Sequence, residues 1–129
     1  MLSLPASVRV FAARDRVDFR KGFDGLHAIV RDEFGEDALS GNVYVFFNAR
    51  RDRVKLLVWD RNGFWLLYKR LERGTFQRLD GMSPKLEIDR ARLAMLLDGI
   101  DTRNSKYYRY SVRDVRIESR DDGARRTDR

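Results

Sequence analysis

Arg50, Arg51 and Arg53 stand almost side by side, and Arg61, Lys69, Arg70 and Arg73 follow within the next twenty positions. Lys55, Trp59 and Tyr68 lie among them. Arginine's planar fork donates two parallel hydrogen bonds to a phosphate or to a guanine edge. Aromatic rings offer flat surfaces on which bases stack. Cations interleaved with rings on one sheet surface therefore form the arrangement that follows a nucleic-acid backbone, phosphate on charge and base on ring. The solvated face of a half-exposed antiparallel sheet carries the same residue types.

Other reactive residues are scarce. The chain contains no Cys, which removes thiolate catalysis, thiol redox chemistry and Cys-ligated zinc. A single His, His27, limits any Ser/His/Asp triad to one base, and zinc seldom accepts a ligand set made almost wholly of carboxylates. His27 borders an apolar helix stripe and reads as a structural or surface residue. Asp18, Asp24 and Asp60 compose on paper a carboxylate set for two metal ions, but with 20 acids in 129 residues such triples arise by chance. Asp18 to Lys21, with Asp24, fall at a helix start, where backbone N–H groups can hold a phosphate. Capping and local ion pairs explain those residues equally well.

The charge is unevenly placed. The chain carries +7, with an isoelectric point near 10.1, and 22 of its 27 cations are Arg. Residues 1–47 hold six cations and seven anions, residues 48–79 nine and three, and residues 80–129 twelve and ten. An acidic partner should meet the middle segment. A genome rich in G and C also enriches Arg codons, so composition alone does not separate function from codon usage.

These cations must be positioned by a small fold. The 129 residues amount to about one domain, large enough to bury roughly two-thirds of its unfolded surface without a disulfide or structural metal. Val8, Val10 and Ala12 alternate with Arg9 and Phe11 as a first strand. Phe19, Phe23, Leu26, Val30 and Phe34 recur at helical spacing, with Asp18 as the expected cap and Gly35 as the stop. Gly22 and Gly25 interrupt this helix's first turn and suggest a close backbone approach. Val43–Phe47, Arg53–Asp60 and Phe64–Arg73 read as three antiparallel strands.

Asn62-Gly63 reads as a type I′ hairpin turn, which pairs Arg61 with Phe64, Trp59 with Leu66 and Leu57 with Tyr68. That register sets Arg53, Lys55, Trp59, Tyr68, Arg70 and Glu72 on one face, and Val54, Leu56, Val58, Leu67, Lys69 and Leu71 on the core face, with Lys69 snorkelling at its edge. Trp59 and Trp65 fall on opposite faces, at least one of them in the core. Leu86 and Ile88 suggest a short strand. Asp89 then caps a helix striped by Leu93, Leu96 and Leu97 and closed by Gly99. The expected class is α+β: an antiparallel β-meander of three to five strands packed against two helices in one domain, residues 1–101. Residues 102–129 read as a polar, charged tail, partly mobile.

The apolar runs are far shorter than the roughly 20 residues of a membrane span, and Arg9, Arg14 and Asp15 interrupt the start before a signal peptide could form. The expectation is a cytoplasmic protein with no membrane contact.

Four segments in order resemble a known family: Asp18-Phe19-Arg20-Lys21-Gly22-Phe23-Asp24-Gly25-Leu26, Gly41 to Phe46, Lys55 to Phe64, and Lys69 to Phe76. Together they are similar to the transposition accessory protein of insertion sequence sixty-six, its second open reading frame product, TnpB, which is unrelated to the RNA-guided nuclease of that name. The likeness spans roughly Val8 to Asp101. Arg20, Lys21 and Asp24 match the first signature; Lys55, Trp59, Asp60, Gly63, Lys69, Arg70 and Glu72 match the second. The resemblance implies a bacterial mobile element whose separate DDE-type transposase performs strand transfer, and it brings no catalytic assignment. After Ile100 the chain departs from the family pattern.

The combined expectation is a non-enzymatic DNA-binding accessory factor without metal or cofactor. It would hold phosphates of the element ends through Arg50, Arg51, Arg53, Lys55, Arg61, Lys69, Arg70 and Arg73. The alternative is an adaptor that docks on the transposase through exposed aromatics, with little DNA affinity. A metal-dependent nuclease built on Asp18, Asp24 or Asp60 is the third and weakest reading.

Overall fold

Val10–Ala13 form β1, and all four residues are buried. That burial identifies β1 as an interior strand covered on both faces, although alternation with Arg9 suggests a strand with one wet side. In the computed structural model, which describes residues 5–101 and 106–107, β1 is followed by α1 (Phe23–Asp32), a short 3₁₀ turn at Ala38–Ser40, and β2 (Val43–Phe47). β3 (Arg53–Asp60), β4 (Gly63–Arg70), β5 (Lys85–Ile88) and α2 (Arg90–Asp98) complete the main body. The sheet order is β4-β3-β2-β1-β5.

The α+β class, the five strands and the two helices match the sequence reading. The sheet is mixed, however. β1 runs parallel to β2, with Val10 opposite Val43, because α1 intervenes and returns the chain to the same end of the sheet. β2, β3 and β4 form the expected antiparallel meander. β5 closes the far edge against β1, Val10 opposite Ile88.

Alternation along these strands fills two cores. One face joins Val10, Val45, Val54, Leu56 and Val58 to Phe76 and to Leu93 and Leu96 of α2. The other joins Phe11, Tyr44, Phe46 and Leu57 to Leu26, Ile29 and Val30 of α1. The second face is therefore not the open platform that the sequence suggests; α1 and the segment before it cover its centre. Asp89 caps α2 as expected, its side chain accepting from the Arg92 N–H at 2.7 Å.

Three local expectations change. The β3–β4 register places Asp60 opposite Gly63, Trp59 opposite Phe64 and Lys55 opposite Tyr68, so the turn is centred on Arg61 and Asn62. Arg61 takes the positive φ of 54°, and the Asn62 N–H bonds back to the Asp60 carbonyl, as in a tight γ-turn. Pairing moves by two residues along the partner, so each side chain keeps its face. Aromatic packing favours this register: Trp59 meets Phe64 edge-on at 5.0 Å.

Asp18 does not cap α1. The helix begins at Phe23 with Gly22 as its cap residue, and Asp18 instead receives the Arg20 N–H and guanidinium. Phe23 is consequently exposed, while Phe34, just past the helix, is buried beside Gly35 at φ 65°. Neither Trp reaches a core: Trp59 is half-buried, and Trp65 is exposed on the opposite face.

The tail assigned to residues 102–129 lies outside the described residues, apart from Lys106–Tyr107. Their backbone forms β7 against β6 (Ile100–Asp101). Among the described residues, no helix is long and apolar enough to cross a membrane.

Candidate nucleic-acid interface

Strand directions gather the arginines. β2 ends and β3 begins at one end of the sheet, with the loop Asn48–Asp52 between them, and Arg53 there pairs with Arg70 at the end of β4. Because β1 is parallel to β2, it delivers Arg14, Asp15 and Arg16 to the same end, next to that loop. Arg78 reaches it from the segment after β4. The loop is tied by its own side chains: Asn48 donates to Asp52 at 2.8 Å and accepts the Arg53 N–H at 3.0 Å.

Of the eight cations expected to hold phosphate, this end collects Arg50, Arg51, Arg53 and Arg70, with Arg73 half-buried in the segment just beyond. Arg50 and Arg70 are exposed and Arg53 is half-exposed. Arg70 is paired with Glu72 at 3.1 Å, and Arg53 donates to the Tyr68 hydroxyl at 3.4 Å. Arg53 and Arg70 face one another across the strand pair, a juxtaposition of like charges that a shared anion would relieve.

Arg51 and Lys55 are inside the protein, each with only 6% exposure. The Arg51 guanidinium donates to the Phe76 and Gln77 carbonyls and lies over the Phe47 ring at 4.4 Å. The Lys55 ammonium donates to the Phe19 and Lys21 carbonyls, both at 2.9 Å, and sits beside the Phe19 and Tyr68 rings. Lys69 reaches the Leu97 carbonyl at 2.7 Å, where a cation complements the C-terminal end of α2. Arg61 lies at the opposite end of the hairpin and does not join the cluster.

The signature residues have structural roles in this geometry. Lys55, from the second signature, pins the backbone of Phe19 and Lys21, from the first. Gly25 allows that close approach: a Cβ there would stand 2.9 Å from the Lys21 Cβ. Arg20 pairs with Asp18 at 2.7 Å and holds its carboxyl down to about 2. Asp60 accepts from the Trp65 indole at 3.1 Å, Gly63 faces it across the turn, and Glu72 holds Arg70. Asp24 is exposed in the first turn of α1. His27 is half-buried and packs against Phe64 at 5.4 Å. Asp18, Asp24 and Asp60 do not converge, and among the described residues no three His, Asp or Glu side chains group as a metal would require.

Local sequence misses Arg14, Arg16 and Arg78, because only the parallel β1–β2 pairing and the returning segment after β4 bring them to the loop. A hollow of about 410 Å³ lies at the opposite end and is lined by Val8, Leu39, Val58, Trp59, Arg61 and Trp65.

A family model described as IS66 Orf2 like protein matches residues 8–107. The uncharacterised protein y4jC of Sinorhizobium fredii strain NGR234 is 32% identical over 101 residues, covering 78% of this chain and 86% of that protein. The uncharacterised protein y4hO of the same strain is 35% identical over 104 residues, covering 81% and 90%. No solved structure matches.

Proposed function

This chain belongs to the IS66 Orf2-like family, and on that premise we propose that it is a non-enzymatic accessory factor of insertion-sequence transposition that holds DNA through the arginine-rich end of its sheet. The family supports the accessory role in transposition. The convergence of Arg16, Arg50, Arg53, Arg70 and Arg78 at one end supports the contact with DNA. Acids there are fewer and partly engaged: Asp15 is held by Arg14 and Glu72 by Arg70, with Asp52 and Asp80 completing the set.

Five strands at about 4.8 Å spacing make an end roughly 19 Å wide. One strand of B-DNA presents a phosphate every 3.4 Å of axis, so about six phosphates span that width. Lys55 is buried and Trp59 is packed against Phe64, so the sheet face has lost one cation for phosphate and one ring for stacking. Recognition then rests on phosphates rather than on stacked bases, and the partner is duplex DNA held largely without regard to sequence. The factor would thereby help a separate DDE-type transposase to assemble on the element ends.

A second reading, an adaptor for the transposase, is favoured by the opposite hollow, where Trp65 is 48% exposed beside Leu39. Fluorescence anisotropy separates the two. With labelled duplex, the triple Arg50/Arg53/Arg70→Glu variant should lose binding at least a hundredfold, while Arg61→Glu at the far end changes it less than threefold. Equal losses in both variants, or no binding by the folded parent, would reject the arginine end as the DNA surface.

A further inference from the structure

We propose that the hollow between the segment after β1 and the Asn48–Asp52 loop is a binding site for a phosphoryl oxyanion, with Arg16, Arg51 and Arg78 supplying its charge. The hollow measures about 330 Å³ and is lined by Arg14, Asp15, Arg16, Asn48, Arg51 and Arg78. A smaller hollow of about 270 Å³ shares Ala49, Arg51 and Arg78 with it, so these residues stand between the two.

Arg51 is a buried residue, and among the described residues its guanidinium donates only to neutral carbonyls: Nε to Phe76 at 3.3 Å and Nη2 to Gln77 at 2.6 Å. Its other terminal nitrogen has no protein acceptor among the described residues. No carboxylate lies within ion-pair distance of it among those residues. A buried charge without a countercharge is expensive. The neighbouring charge of Arg78 adds to the cost: burial first, and Arg78 second, push Arg51 below its ordinary value, while Asp80 opposes them weakly. The backbone is strained to hold this position, since Arg51 has φ 58°, a left-handed region that residues with a Cβ rarely adopt.

The carboxylate lining the hollow does not discharge it. Both oxygens of Asp15 are taken by the Arg14 guanidinium, at 3.0 and 3.1 Å. Arg14 also donates to the Gly81 and Met82 carbonyls and so fixes the wall. Arg16 and Arg78 make no hydrogen bond or ion pair among the described residues and are left to meet an anion. A tetrahedral oxyanion with charge on several oxygens suits three convergent guanidinium forks.

The source of the phosphoryl group, nucleic-acid backbone or free phosphate, rests on the proposed function; the pocket itself does not. The test is calorimetric titration of the full-length protein with inorganic phosphate, in parallel for the parent, Arg16→Ala, Arg78→Ala and Arg61→Ala. The site predicts saturable binding, weakened at least tenfold by Arg16→Ala and by Arg78→Ala and unchanged by Arg61→Ala. Both pocket variants leave the Arg51 anchor intact and should retain the parent's circular dichroism. Absent saturation, or equal loss in Arg61→Ala, would overturn the site.

Unlabelled duplex added to the phosphate-loaded protein then assigns the source. Displacement supports a backbone phosphate, and persistence supports a free phosphate bound at this site. Phosphate that fails to bind while duplex binds normally overturns the pocket and leaves the proposed function standing. The converse rejects the DNA reading alone.

Discussion

Replacing Lys55 with Met separates a residue that holds the fold from one that holds DNA. The Lys55 ammonium makes two hydrogen bonds of 2.9 Å, to the carbonyls of Phe19 and Lys21. Each is charge-assisted and contributes about 1.5–3 kcal/mol. Those values are already net of taking the ammonium out of water, so Met relieves no further penalty. Met preserves the apolar stem that packs along Phe19 and Tyr68. The two carbonyls belong to an exposed segment and regain water in part. The balance is a loss of about 2–3 kcal/mol. For an ordered body of roughly 100 residues this lowers Tm by about 10 °C. Differential scanning calorimetry measures the loss, and hydrogen exchange should show faster opening of residues 18–22. Duplex affinity at a temperature where both proteins are folded should stay within twofold of the parent. A Tm within about 2 °C of the parent, with DNA affinity lost, would refute the internal placement of Lys55.

Two further expectations come from the same region. The Asp18 carboxyl titrates near 2 because Arg20 stabilises its charged form. Its folded value lies below the unfolded one, so its contribution is present above about pH 4 and fades as pH falls toward 2; carboxyl NMR should show Arg20→Ala returning the midpoint toward the usual Asp range. At Gly25, Ala would bring its Cβ to 2.9 Å from the root of the Lys21 side chain, whereas Gly22 has open space around it. Chemical denaturation should therefore show Gly25→Ala destabilised by about 1–2 kcal/mol, with Gly22→Ala within about 0.5 kcal/mol of the parent.

Much of the fold is legible locally because its signals are local. β2 and β3 match their sequence bounds, and the Asp89 cap and Gly99 stop of α2 lie where residue type places them. The hairpin exists, but Asn62-Gly63 misplaces its turn by one residue; the packing of Trp59 on Phe64 and of Lys55 on Tyr68 outweighs the turn's own preference. Asp18 looks like a helix cap because its type and position fit one, yet a guanidinium two residues away takes it instead.

The site is less legible, since charge counted along a chain does not reveal which cations are buried. Arg51 and Lys55 have the same residue types as their exposed neighbours, and only the return of Phe76, and of the segment before α1, over the sheet encloses them. Arg14, Arg16 and Arg78 join through pairings across 25 or more residues, for which no short motif exists.

The salt dependence of duplex binding by the unmodified protein decides whether the arginine end holds phosphates. If Arg16, Arg50, Arg53, Arg70 and Arg78 each neutralise one phosphate, the logarithm of the binding constant falls with the logarithm of salt at a slope near −4.5, a loss of about 500-fold between 50 and 200 mM. A slope near zero, with the protein folded throughout, would contradict the account.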